Sequence, residues 1–153
     1  MNILATICMR KGSKGIPNKN LIKINKKPLL YYTIKQALNS KIFDEIIVST
    51  DSNKIANLSK HYGAKCWFIR PKYLSGDNSA KIPAIRHALI QSEKYFKKKF
   101  DIVVDLDASS PLRSINDIKN AYKKFLKEKK DNLITVNQSR KNPYFNIIEY
   151  QGE

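Results

Sequence analysis

The chain has 153 residues, 42% of them apolar and 10% aromatic, with a formal charge of +16, a size and composition that fit one globular domain with a real core. No run of about 18 apolar residues occurs, which argues against a membrane span, and the amino terminus lacks the pattern of a signal peptide, so a cytoplasmic protein is expected. The positive charge is almost wholly lysine, with only five arginines (Arg10, Arg70, Arg86, Arg113 and Arg140); because nucleic-acid recognition favours the bidentate guanidinium, no nucleic-acid partner is expected.

Ile3 to Ile7 is a short apolar run that reads as a buried first strand. A basic loop follows, from Cys8 to Asn20, with Gly12 and Gly15 expected to let the backbone turn tightly and approach a ligand closely. Leu21 to Ile24 is a short extended piece. Pro28 is a good first-turn residue and opens a helix, with Leu29, Leu30, Ile34, Ala37 and Leu38 inward and an end near Ser40. Glu45 to Thr50 is the second strand. Asp51 or Ser52 caps the next helix, which buries Ile55, Ala56 and Leu58 until Gly63 stops it. Cys66 to Ile69 reads as a third strand. Cys8 and Cys66 are expected to remain reduced thiols, since a disulfide framework needs more than one such pair.

Arg70-Pro71 ends that strand and an irregular loop runs to Asn78. A helix starts near Ala80, with Ile82, Ile85, Ala88, Leu89 and Ser92 on a packed face and Pro83 in its first turn. Ile102 to Leu106 is the next strand and flows into Asp107-Ala108-Ser109-Ser110-Pro111-Leu112-Arg113. Ser114 and Asp117 make an acidic variant of the capping box for a helix carrying Ile118, Ala121, Tyr122 and Phe125 inward. Leu133 to Val136 is a fifth strand, and Ile147-Ile148 opens another. Strands alternating with helices through short connections predict an α/β fold with a mainly parallel sheet and a single domain over 1–153.

In such sheets ligands bind at the carboxyl ends of the strands. Arg10, Lys11, Lys14 and Lys19 concentrate positive potential at the end of the first strand, which suits a polyphosphate held by backbone N–H groups and long cationic side chains. The loop is neither a P-loop nor a dinucleotide fingerprint. Candidate acids at strand ends are Asp51, Asp77 and the pair Asp105/Asp107. Asp51 also reads as a helix cap and Asp77 as a turn residue. Asp105 and Asp107 lie two apart on one side of a strand, so they would point together into the site or be held by arginine; two such carboxylates are costly unless paired or liganded. Asp107 is a candidate metal ligand, and Arg113 a candidate anchor for its loop through the loop carbonyls. His61 and His87 fall on helices with no triad or zinc pattern near them.

The order Arg10-Lys11-Gly12-Ser13-Lys14-Gly15-Ile16-Pro17-Asn18-Lys19-Asn20, Pro28-Leu29-Leu30, Val48-Ser49-Thr50-Asp51, Arg70-Pro71, His87-Ala88-Leu89 and Ser110-Pro111-Leu112-Arg113 resembles the acylneuraminate cytidylyltransferases, which make CMP-activated nonulosonic acids. The stretches Asp105 to Pro111 and Asn142 to Asn146 are most similar to the bacterial legionaminic-acid branch, which supplies flagellin glycans or surface polysaccharides. The resemblance implies a Rossmann-like three-layer domain of the nucleotide-diphospho-sugar transferase type, with the carboxyl-terminal part missing, since family members run well beyond 153 residues. It implies CTP, a nonulosonic acid and Mg²⁺ as substrates and cofactor, and a homodimer in the full-length protein.

By position, the resemblance assigns Arg10 and Lys19 to the triphosphate and the departing pyrophosphate. Ser13, Lys14 and Gly15 fall to the phosphate turn, Asn20 to the nucleoside, Arg70 to the cytosine or ribose, and Asp77 and Lys81 to the nucleotide. Asp107, Ser109 and Ser110 fall to the sugar, with Asp107 also a metal ligand beside main ligands expected beyond residue 153. Sialic-acid enzymes commonly carry Gln-Pro-Thr where this chain has Asp107-Ala108-Ser109, so a metal or an amino or amide substituent is the implied partner of that carboxylate. Lys81 replaces a small hydroxyl residue that helps bind the base. The alternatives are a same-fold nucleotidyltransferase using another nucleotide and a sugar phosphate, or an inactive nucleotide-binding fragment.

Overall fold

The structure is a computed structural model and describes residues 1–13 and 15–136. Its first compact unit is Met1–Lys119 and a second begins at Asn120. In chain order the elements are strand β1 (Ile3–Cys8), a hairpin of β2 (Lys23–Ile24) and β3 (Lys27–Pro28), helix α1 (Leu29–Ser40), β4 (Glu45–Ser49), α2 (Asn53–His61), α3 (Lys81–Phe96), β5 (Ile102–Asp105) and α4 (Ile115–Glu128). The main sheet runs β4-β1-β5. Both pairings are parallel, with Ala5 opposite Ile46 and Val104, and Thr6 opposite Ile47 and Asp105.

Alternation along the strands divides the core into two layers. Ala5, Ile7, Ile46 and Val48 face one way, onto Leu30, Ile34 and Ala37 of α1 and Ile55 and Ala56 of α2. Leu4 and Ile47 face the other way, onto Ala88 of α3 with Phe96 and Phe100. Helices therefore cover both faces of a parallel sheet, which is the Rossmann-like three-layer arrangement expected.

Local chemistry accounts for the element ends. Ser52 Oγ accepts from the Ile55 N–H and caps α2, while Gly63 follows its end at φ 102°. Helices α1 and α3 end instead on Lys41 and Lys97 in the left-handed region. Asn25 and Lys26, both at positive φ, form the two-residue turn of the hairpin, in which left-handed backbone matches strand twist. At α4 the capping box forms in both directions: Ser114 N–H donates to Asp117 and the Asp117 N–H donates to Ser114 Oγ.

Several expectations need correction. Pro28 stands one residue before α1, as its N-cap: its φ of −65° would suit a helix, but its ψ of 150° is extended, and the free Leu29 N–H of the first turn bonds to Ile22 O. The third strand at Cys66 to Ile69 shrinks to one parallel bridge between Lys65 and Ile47. Past it, Trp67 and Phe68 turn to aromatic neighbours on α3, including a stacked Trp67–Tyr95 pair, and the backbone rejoins β4 only where Arg70 N–H meets Thr50 O. Ile82 is 72% exposed; the buried stripe of α3 is Ala84, Ala88 and Ser92, small residues four apart that bring helix and sheet close together. Leu133 to Val136 forms no strand, and Ile134 is 78% exposed, since β-propensity makes no ladder without a neighbouring strand. On α4, Ile118 is buried, whereas Ala121, Tyr122 and Phe125 are half-buried. The strand expected at Ile147-Ile148 and the Asn142 to Asn146 stretch lie outside the described residues.

Candidate active site

β1 is the central strand, with β4 on one side and β5 on the other. The chain leaves β1 toward β4, passes beyond it at Lys65, and returns across the sheet to β5. A reversal of this kind opens a crevice at the strands' carboxyl ends, and the loops after β1 and β5 border it.

The loop after β1 brings the cations. The Arg10 guanidinium donates to Gly76 O at 2.6 Å and pairs with Asp77 at 3.0 Å, so the structure joins two of the sequence-predicted residues. Asn20 is buried and its side-chain amide donates to Arg10 O. Asp51 does not cap α2; its carboxylate accepts from the Lys11 N–H at 2.7 Å and ties the loop to the end of β4. Ser13 is half-buried and Gly15 exposed, and Lys14 lies outside the described residues. Neither Gly12 nor Gly15 has a positive φ, and a Cβ at either would meet nothing within 4 Å. Gly15 lies in a bend, and the backbone at both glycines is unobstructed. Between this loop and the start of α2 opens a cavity of about 710 Å³ lined by Lys11, Asn18, Asn20, Asp51, Ser52 and Lys54.

Arg70 is only 5% exposed. Its guanidinium donates to Met9 O and to Ser75 Oγ, clamping the end of β1 to the segment after Pro71. Burial lowers its basicity, although Cys8 and Asp51 oppose that.

The loop after β5 is tightly tied. Arg113 donates to Asp107 O at 2.8 Å and to Gln36 Oε1, the carbonyl anchoring the sequence anticipated. Gln36 Nε2 donates to the carbonyls of Pro111 and Arg113, and Thr33 Oγ1 to those of Asp107 and Ala108. Asp107 Oδ1 accepts from the N–H and hydroxyl of Ser109; Ser110 O accepts from the Arg113 N–H. Gln36 was missed in the sequence because no motif marks it, and its partners lie some 75 residues away; Thr33 was visible only as part of the family resemblance, without this role.

The carboxylate pair is held by lysine rather than arginine. Lys81 Nζ lies 2.6 Å from Asp105 and 3.7 Å from Asp107, and Thr6 Oγ1 donates to the other oxygen of Asp105. Burial disfavours the Lys81 ammonium, yet the hydrogen bond and charge of Asp105 raise its pKa overall. Burial works against the Asp107 carboxylate too, but the two Ser109 hydrogen bonds, with Lys81 and Lys19, bring its pKa below the usual range. Lys19, from the loop after β1, thus acts on a carboxylate of the loop after β5. Cys8 borders this cluster, and burial with the nearby Asp105 pushes its thiol up to about 12. Both cysteines are free.

Among the described residues no three His, Cys, Asp or Glu side chains converge on a point that could hold a metal ion. Among these residues Asp107, with Oδ1 on Ser109 and Oδ2 3.7 Å from Lys81, is a carboxylate that could offer an oxygen to a divalent cation. No helix among the described residues is long and apolar enough to cross a membrane.

Comparison with known proteins accords with this geometry. The chain is 52% identical over 149 residues to the post-translational flagellin modification protein B of Campylobacter coli, covering 97% of this chain and 63% of that protein. It is 52% identical over 150 residues to the CMP-N,N'-diacetyllegionaminic acid synthase of Campylobacter jejuni, covering 98% and 64%. It thus spans less than two thirds of the length of these relatives. The solved structure of a CMP:2-keto-3-deoxy-manno-octonic acid synthetase complexed with CTP superposes with a TM-score of 0.67 at 21% identity, over 84% of this chain and 49% of that one. That likeness concerns the fold, the type found in nucleotide-diphospho-sugar transferases. Residues 4–145 match the family described as Cytidylyltransferase, and with a match over nearly its whole length the chain belongs to that family.

Proposed function

We propose that this chain carries the nucleotide-binding portion of an enzyme that activates a nonulosonic acid of the legionaminic type with CTP, giving the CMP-sugar and pyrophosphate. The observation that supports it best is the set of charges at the sheet's carboxyl end: Arg10 held against Gly76 O and Asp77 on the loop after β1, and Lys81 against Asp105 and Asp107, with Lys19 helping to lower the Asp107 pKa. In this reading the anomeric hydroxyl oxygen of the sugar bonds to the α-phosphorus of CTP. The bond from that phosphorus to the bridging oxygen breaks, pyrophosphate leaves with the electron pair, and the hydroxyl proton passes to solvent.

Negative charge grows on the departing pyrophosphate, and fixed cations there stabilise the transition state more than the ground state. Arg10 and Lys19 take that role, with Ser13, Lys14 and Gly15 along the triphosphate. Asn20 and Arg70 fall to the nucleoside, and Asp77 and Lys81 to the nucleotide. Ser109 and Ser110 border the sugar with Asp107, whose low pKa suits it to hold an ammonium, a hydroxyl or a metal rather than to store a proton. Mg²⁺ arriving on the triphosphate would supply further charge neutralisation, with Asp107 as the ligand this chain offers. The full-length protein is proposed to be a homodimer.

Calorimetric titration with CTP tests the reading. Saturable binding is expected, weakened at least about tenfold by Arg10→Ala through loss of a charge-assisted contact. Tighter binding of GTP or UTP than of CTP, or an Arg10→Ala variant that binds CTP as the parent does, would overturn it.

A further inference from the structure

The Asp105/Asp107 pair has an electrostatic peculiarity that nucleotide binding does not require. Asp105 is almost enclosed, with 17% of its side chain exposed. One of its oxygens is used by Thr6 and the other by Lys81. Asp107 is 58% exposed and has one oxygen on Ser109. Two carboxylates at the end of one strand repel each other, and in a half-buried site they recruit a cation. The cation here is covalently part of the chain. Lys81 is the first residue of α3, and its side chain, 46% exposed, reaches across to both acids.

We infer that Lys81 is a built-in countercation that keeps divalent metal ions off the Asp105/Asp107 pair when no nucleotide is bound. Its ammonium satisfies Asp105 and screens Asp107, so a dication approaching the pair meets a positive charge rather than an open chelate. Lys81 is a positioning residue in this role: it helps hold Asp105, which Thr6 also holds, and sets the charge beside Asp107, which Ser109 orients. A hard dication needs several oxygen ligands at close range, and the two oxygens that would serve first are those nearest the ammonium. The inference stands on the ion-pair geometry and is independent of which nucleotide the loop binds.

Titration with Mn²⁺ in the absence of nucleotide, read by loss of the free-ion electron paramagnetic resonance signal, tests it on the 153-residue chain. The parent chain is expected to leave Mn²⁺ free. Lys81→Met should bind it at least about tenfold more tightly, since a unit charge within 4 Å is removed. Lys81→Arg, which keeps the charge, should behave as the parent. Adding Asp107→Asn to Lys81→Met should abolish the new binding. Equal Mn²⁺ affinity in parent and Lys81→Met would overturn the inference. If Lys81→Met does not give a folded circular dichroism spectrum, Lys81→Gln, which removes the charge and keeps a polar side chain, decides. A gain in Mn²⁺ affinity over the parent supports the inference, and equal affinity overturns it.

Discussion

The two loops that border the crevice are built in opposite ways. The loop after β5 has its carbonyls bonded by Arg113, Gln36 and Thr33, and one of its carboxylates bonded by Ser109. The loop after β1 is rooted at Arg10, Lys11 and Asn20, through Gly76 O, Asp51 and Arg10 O, while Gly15, Ile16, Pro17 and Asn18 are exposed. The acidic border is thus pre-organised, and the basic border is fixed at its base and open along its tip. A polyanion needs to be surrounded, so cations gain from following it, whereas a carboxylate that must aim at one place gains from being held.

Substitutions can break or sharpen that contrast. The largest effect is expected from Arg70→Ala, which removes the clamp at the base of the basic loop and leaves the Met9 carbonyl buried without its donor. Denaturant unfolding should show a loss of about 3 kcal/mol; a loss below about 1 kcal/mol would mean that this base is held by something else. Arg113→Ala should cost about 2 kcal/mol through the bonds to Asp107 O and Gln36, and should cost more than Arg10→Ala, whose partners lie at the exposed edge. An equal cost for the two would erase the distinction between the borders. The smallest effect belongs to Gly12→Ala, where a Cβ meets nothing within 4 Å and φ is not positive. Its stability should change by less than about 0.5 kcal/mol, and a larger loss would show that the tip is conformationally demanding after all.

How much of this was legible in the sequence follows from what each residue answers to. Ile3 to Ile7, Glu45 to Thr50 and the helix from Pro28 were readable because their apolar spacing reflects a face buried along the whole element. The capping box at Ser114 and Asp117 was readable because it is a local bond. Trp67 and Phe68 misled because a β-like composition there serves aromatic packing on α3. Leu133 to Val136 misled because a strand depends on a neighbour the segment itself does not encode. In the site, the basic loop and Arg113 were visible as charge at a strand's end. The grip of Lys81 on Asp105 was hidden, since it joins residues far apart in the chain, and which cation would meet the pair depends on the fold.

The ends of the helices bear on how such a chain can evolve. With five glycines in all, it places lysine in left-handed backbone at positions 41, 97 and 129, after α1, α3 and α4, where glycine would ordinarily stand. Each such residue costs about 1 kcal/mol relative to glycine, partly offset by a positive side chain near a negative helix terminus. The three sites amount to a dormant margin of robustness, reachable by single substitutions. A lineage carrying them can acquire costly changes around the carboxylate pair and still recover its stability elsewhere.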